Sequence, residues 1–161
     1  MGQALRAFFS NGWLFSAITG WVIAQLAKVV IRLIRHPHKK INWKTIMFVN
    51  GGMPSSHTAS VVALLTTVGC TEGMASPTFA LAGIFAAIVI NDALGVRREA
   101  ERHARVLNRM MREGQEDEPS RSFKKLREHI GHSPLQVLFG GLLGLAVGIL
   151  YYILMLRPQG L

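Results

Sequence analysis

The sequence predicts an all-α fold: a polytopic membrane helix bundle with about four spans and an amphipathic helix on its cytoplasmic side. Three observations carry that expectation. Half of the 161 residues are apolar, and the mean hydropathy is +0.29. The formal charge is nonetheless +9. The apolar residues lie in long blocks, and the cationic ones collect between them, which is the pattern of spans joined by basic loops. A nucleic-acid binder is the other reading of so basic a chain. It is disfavoured because acidic residues are interspersed among the arginines and the apolar residues lie in long blocks rather than between the basic ones. Cys70 is the single cysteine, so no intrachain disulfide can form and a cysteine-based metal site is not expected. The start, Met1-Gly2-Gln3-Ala4-Leu5-Arg6, lacks the Ser or Thr that a myristoylation signal wants. The first apolar run shows no small-residue cleavage site and is read as retained.

The elements follow in order. Residues 1–11 form a short lead. The first apolar helix runs from about Trp13 to Ile34, long enough for a bilayer at about 1.5 Å per residue. Its second half carries Gln25, Lys28 and Arg32. Arg32 can snorkel to the membrane surface, whereas Lys28, one turn after Gln25, is expected to face protein. Residues 35–50 make a basic loop with His36 and His38. The second apolar run, about Thr58 to Cys70, is short for a span and gains length if counted from Ser55. The third, about Pro77 to Val96, opens with Ser76-Pro77, a cap followed by proline at the first helical position. Asn91 and Asp92 fall near its end. The segment 97–129 holds ten Lys or Arg and seven Asp or Glu. Its first part has apolar residues at Ala100, Ala104, Leu107 and Met111, a spacing that predicts an amphipathic helix continuing the third span. Gly114 to Ser122 reads as a polar loop. The fourth apolar run extends from about Pro134 to Leu156, with Gly140, Gly141, Gly144 and Gly148 at spacings that allow close helix packing in a membrane. No internal repeat is seen, and residues 1–161 read as one membrane-embedded domain.

The two basic segments hold most of the Lys and Arg, and the loop at 71–77 holds none. Positive-inside then places both large loops, about 35–53 and 97–131, in the cytoplasm and both termini outside, in an inner or plasma membrane. The inner ends of all spans share that face. Lys28 and Arg35 end the first span, His57 starts the second, Asp92 and Arg97 end the third, and His132 starts the fourth.

The stretch Gly51-Gly52-Met53-Pro54-Ser55-Ser56-His57-Thr58-Ala59 reads as a helix entry that carries a functional group. Glycines allow the turn, proline stiffens the approach, and Ser55 or Ser56 can cap the helix. Free N–H groups at a helix start favour anions, phosphate among them. Two histidines at helix entrances, ringed by Lys and Arg, suit phosphoryl transfer: one attacks phosphorus and the other protonates the leaving oxygen, while cations neutralise the phosphoryl oxygens. A metal is the competing use of histidine. The pairs His36/His38 and His129/His132 sit among cations that would repel one, so no metal and no other cofactor is expected.

These residues carry a resemblance. Met53-Pro54-Ser55-Ser56-His57 resembles the PSGH motif of the lipid phosphatases in the type 2 phosphatidic acid phosphatase and vanadium haloperoxidase superfamily. Lys28 and Arg35 have six residues between them, as in that superfamily's first motif, KxxxxxxRP, with His36 in place of the immediate proline and Pro37 following. Gly131-His132-Ser133-Pro134-Leu135-Gln136-Val137-Leu138-Phe139-Gly140 is similar to the end of its third motif. Taken together with Asp92-Ala93-Leu94-Gly95-Val96-Arg97-Arg98, the pattern looks like the divergent, short membrane branch of the superfamily.

The resemblance implies His132 as a nucleophile that forms a phosphohistidine and His57 as general acid. It implies phosphate binding by Lys28, Arg35, Ser56 and an arginine of the third motif, with no metal. That third motif is split here. Leu126 stands six places before His132, so Arg97 is expected to supply the arginine through folding. Gln136 stands where the family has an orienting Asp, and Asp92 or Glu128 are the candidate replacements. The expected function is hydrolysis of a lipid-type phosphomonoester or diphosphate, a lipid or isoprenoid phosphate, by a membrane phosphatase. The alternative is a non-catalytic membrane protein that binds anionic lipid headgroups. Four spans make a thin bundle, which leaves room for a homodimer.

Overall fold

The computed structural model describes residues 2–35, 52–117, 125–126, 128 and 133–159. Helix α1 covers Gly2–Phe9, α2 Gly12–Arg35, α3 Ser56–Glu72, α4 Pro77–Leu94, α5 Val96–Asp117 and α6 Pro134–Tyr151. A π-helical turn, Tyr152–Leu156, and a 3-10 turn, Arg157–Gln159, extend α6. No strand occurs among the described residues. The residues 1–11 expected as a lead thus hold a helix. The polar loop expected from Gly114 is still helical to Asp117, and 118–122 lie outside the described residues.

Helix α3 is the axis of the bundle and packs against α2, α4 and α6. Close approach is possible because glycines face it. A Cβ added at Gly20 of α2 would stand 2.8 Å from the Ala59 carbonyl oxygen. One added at Gly144 of α6 would stand 2.5 Å from the same atom. Ala59 is therefore gripped from both sides by helices without side chains at the crossing. Gly148 meets Thr66 and Ala63 in the same way one turn further on. Small residues at crossings replace the hydrophobic drive that is missing between helices in lipid.

Hydroxyl groups stitch the same seam. The Ser16 and Thr67 hydroxyls lie 2.5 Å apart, both fully buried. The Ser60 hydroxyl donates to the Ala17 carbonyl at 2.9 Å, and Trp13 Nε1 donates to Thr71 Oγ1 at 2.9 Å. The hydroxyl groups of this second apolar run are thus hydrogen-bonded inside the bundle.

The outside of the bundle is apolar. Leu81, Ile84, Phe85 and Ile88 of α4 are exposed, as are Leu138, Leu142 and Leu145 of α6. Water does not tolerate so continuous an apolar surface, and lipid does. Among the described residues three stretches are long and apolar enough to cross a membrane: Gly12–Arg35, Pro77–Glu113 and Pro134–Leu156. The fourth of the expected spans is α3, with 17 residues the shortest of the set and enclosed by the others. The contacts make the bundle antiparallel. The end of α2, the start of α3, the end of α4 and the start of α6 meet at one end. Trp13 and Thr71 mark the other.

Candidate active site

Ser55, in extended conformation, caps α3: its Oγ accepts from the Thr58 N–H at 3.3 Å and from the Thr58 hydroxyl at 2.9 Å. Ser55, not Ser56, is thus the cap. This leaves the Ser56 side chain available, and Lys28 Nζ donates to its Oγ at 3.0 Å. Lys28 is half-buried and faces protein, as its place one turn after Gln25 suggests. Gly52 lies against its stem. It has a φ of 93°, in the left-handed region that favours glycine, and a Cβ there would be 4.0 Å from Lys28 Cδ.

His57 occupies the second position of α3 and is half-buried. The charges that act on it are those of Arg97, Lys28 and Asp92. Arg97 Nε pairs with Asp92 Oδ2 at 2.5 Å across Gly95, which separates α4 from α5. One end of the bundle therefore gathers Lys28, Ser56, His57, Asp92 and Arg97 from four helices. Among the described residues no group of three His, Cys, Asp or Glu side chains is placed to hold a metal.

The start of α6 joins this cluster through the main chain. Ser55 N–H donates to the Gln136 carbonyl at 2.9 Å. Gly140 makes the approach possible, since a Cβ there would stand 2.5 Å from the Ser55 carbonyl oxygen. The N-termini of α3 and α6 thus lie side by side. Both present the positive end of a helix dipole to the same space, and the Lys28 and Arg97 charges add to it. Such a locus suits a doubly charged phosphate.

Ser133 caps α6 in a capping box. Its Oγ accepts from Gln136 N–H at 3.3 Å, and Gln136 Oε1 accepts from Ser133 N–H at 3.1 Å. A profile of the Divergent PAP2 family matches residues 9–147, a range that contains every one of these groups. The chain belongs to that family. A protein of Bacillus subtilis (strain 168), described as the uncharacterized membrane protein YuiD, is 38% identical over 146 residues. That alignment spans 84% of this chain and 90% of the relative. No solved structure matches. The apolar helices and this relative together make the chain an integral membrane protein.

As a member of the Divergent PAP2 family, the chain can be read position by position. Lys28, Ser56, His57, Asp92 and Arg97 are drawn together. Arg35 is exposed at the last residue of α2, and among the described residues no hydrogen bond ties it to the cluster. Gln136 stands beside the cluster through its backbone, while its side-chain oxygen is engaged by Ser133. Glu128 accepts from Asn108 Nδ2 at 2.7 Å, on α5 about three turns beyond Arg97. His132, expected as the nucleophile, lies outside the described residues, as do His36, His38, His129 and Arg127. Two positions escaped the sequence reading. Ser55 was legible as a cap, but its bond to Gln136 was not, because backbone pairing across 81 residues leaves no local signal. Asn108 also binds Leu126, through both its amide nitrogen and its oxygen, at 2.9 Å each.

Proposed function

We propose that the protein is a membrane phosphatase that hydrolyses a lipid-type phosphomonoester or diphosphate at the cytoplasmic face of an inner or plasma membrane. The observation that carries this reading is the convergence of Lys28, Ser56, His57 and Arg97 beside the paired N-termini of α3 and α6. Membership of the Divergent PAP2 family supports it.

In the proposed reaction a nitrogen of His132 attacks phosphorus while the bond to the leaving oxygen breaks. His57 gives that oxygen its proton. Water then attacks phosphorus, His57 takes a proton from it, and the phosphorus–nitrogen bond breaks to release phosphate and restore His132. Lys28 and Arg97 hold the non-bridging oxygens, whose charge grows or shifts in each transfer. Asp92 fixes the Arg97 guanidinium and supplies the carboxylate that the third motif lacks after His132.

The test uses purified protein in lipid with phosphatidic acid and an isoprenyl diphosphate as substrates. Phosphate release is expected from at least one, with loss in His132→Ala and a fall of about 10²–10⁴-fold in His57→Ala. An acid-labile phosphohistidine should be trapped by rapid quenching of the unaltered protein and be absent from His132→Ala. Phosphate release unaltered in His132→Ala overturns the reading.

A further inference from the structure

Helix α5 presents two parallel stripes that the phosphatase reading does not use. Val96, Ala100, His103, Leu107 and Met110 follow one another at alternating steps of four and three, which keeps them on one face. All are exposed: Val96 by 70%, Leu107 by 48% and Met110 by 62%. A different side carries Ala104, which is buried, and Asn108, which binds Leu126 and Glu128. The sequence pattern alone merged these two sides into one stripe. A second row, Arg98, Arg102, Arg105, Arg109 and Arg112, repeats at the same steps on the opposite side of the helix, about 200° round from the apolar stripe. These arginines are exposed. Arg102, Arg105 and Arg109 pair with Glu99, Glu101 and Glu113 along the helix surface. Such pairs along a helix surface are weak, and the arginines can exchange them for a phosphate.

The backbone at Gly95 interrupts the regular helical hydrogen bonding between α4 and α5. Gly95 N–H still bonds the Asn91 carbonyl, but the next donors, Arg98 and Glu99, both turn to the Gly95 carbonyl. A strongly amphipathic helix thus begins where a span ends, with one apolar face and one cationic face.

We propose that α5 lies in the headgroup layer of the protein's own membrane, with Val96, Leu107 and Met110 at the acyl boundary and the arginine row on the phosphates of anionic lipids. The occupant is the lipid surface, argued from the charge of the row and from the continuity of α5 with the α4 span. The inference does not depend on catalysis. It also gives Arg97, in the first turn of α5, a position set by the membrane surface.

The experiment places an environment-sensitive fluorophore on Met110→Cys in a Cys70→Ser background of the full chain. The protein is reconstituted in vesicles of phosphatidylcholine alone or of phosphatidylcholine and phosphatidylglycerol in equal parts. With phosphatidylglycerol present, the probe should shift to the blue, be quenched by lipids carrying a shallow nitroxide, and lose several-fold in quenching by aqueous iodide. Replacing Arg98, Arg102, Arg109 and Arg112 together by Gln should remove the difference between the two lipid compositions. Circular dichroism checks that the variant keeps its helix content, and the single change Arg109→Gln, which should give a partial loss, serves if it does not. A probe open to iodide in both vesicles overturns the proposal. So does one shielded from iodide yet untouched by the lipid nitroxide, which would mean that protein covers the face.

Discussion

Lys28 reaches the site from the middle of a long apolar helix, and its ammonium is held by the Ser56 hydroxyl. An apolar residue would pack there at less cost, and on the proposed reading the charge serves the phosphate. Lys28→Met should lower kcat/KM for phosphate release by about 10²–10³-fold, the usual loss when one donor to a developing charge is removed. Lys28→Arg should not preserve it, since a planar guanidinium fork and a compact ammonium are not interchangeable. The Asp92–Arg97 pair is of another kind. Its side chains are 38% and 34% exposed, so its share of stability is at most about 1 kcal/mol. Asp92→Asn should therefore leave the melting temperature in detergent nearly unchanged and raise KM several-fold, as the guanidinium loses its anchor. A large drop in melting temperature with KM intact would make the pair structural. Neither contact is marked in the sequence beyond the residue types. Lys28 could be singled out because a lysine inside an apolar run needs a reason, but its partner could not.

At the scale of the elements, the grip on Ala59 decides how the helices sit. Gly144→Val must push α6 off α3, because even a Cβ meets the Ala59 oxygen at 2.5 Å. Overpacking of this sort costs about 1–3 kcal/mol. Gly141→Ala should be tolerated, since its nearest neighbour is the Thr58 methyl at 3.9 Å. Thermal unfolding of the two variants in detergent separates them, and equal melting temperatures would contradict the packing described. Caps and proline starts made the element boundaries readable. Ser76-Pro77 opens α4 as its sequence announces, with Ser76 Oγ accepting from Phe79 N–H at 3.1 Å. The glycine spacing of the last apolar run announces close packing without saying which helix is packed. Helix α5 outran its expected end because Gly114 costs a helix only about 1 kcal/mol. The Arg109–Glu113 pair supports the turn before it. Helix α1 was missed since a segment of 8 residues offers too few turns for a period to show.

For the whole molecule, the antiparallel contacts put the end that bears Lys28, His57 and Arg97 opposite the α3–α4 turn. With Cys70 replaced by Ser, Met74→Cys should react with an impermeant thiol reagent from outside the cell, and Glu113→Cys only after the cells are opened. The reverse pattern would place the cluster outside and contradict the charge-based orientation. The charge pattern behind the expected orientation was legible, because lysine and arginine avoid one short loop entirely. The nearness of the two motif helices was not, since it rests on amides. Ser55 and Gln136 meet through main-chain atoms, so the bond between the His57 helix and the helix that follows His132 does not specify the side chains of those two residues, while the close approach requires Gly140. A scan of Gln136 reports its capping box and is blind to this tie. Sequence drift can therefore rewrite the side chains of that pair while Gly140 and the spacing of the two helix starts persist. Exposing the dependence takes a change of atom rather than of residue, an ester in place of the Ser55 amide.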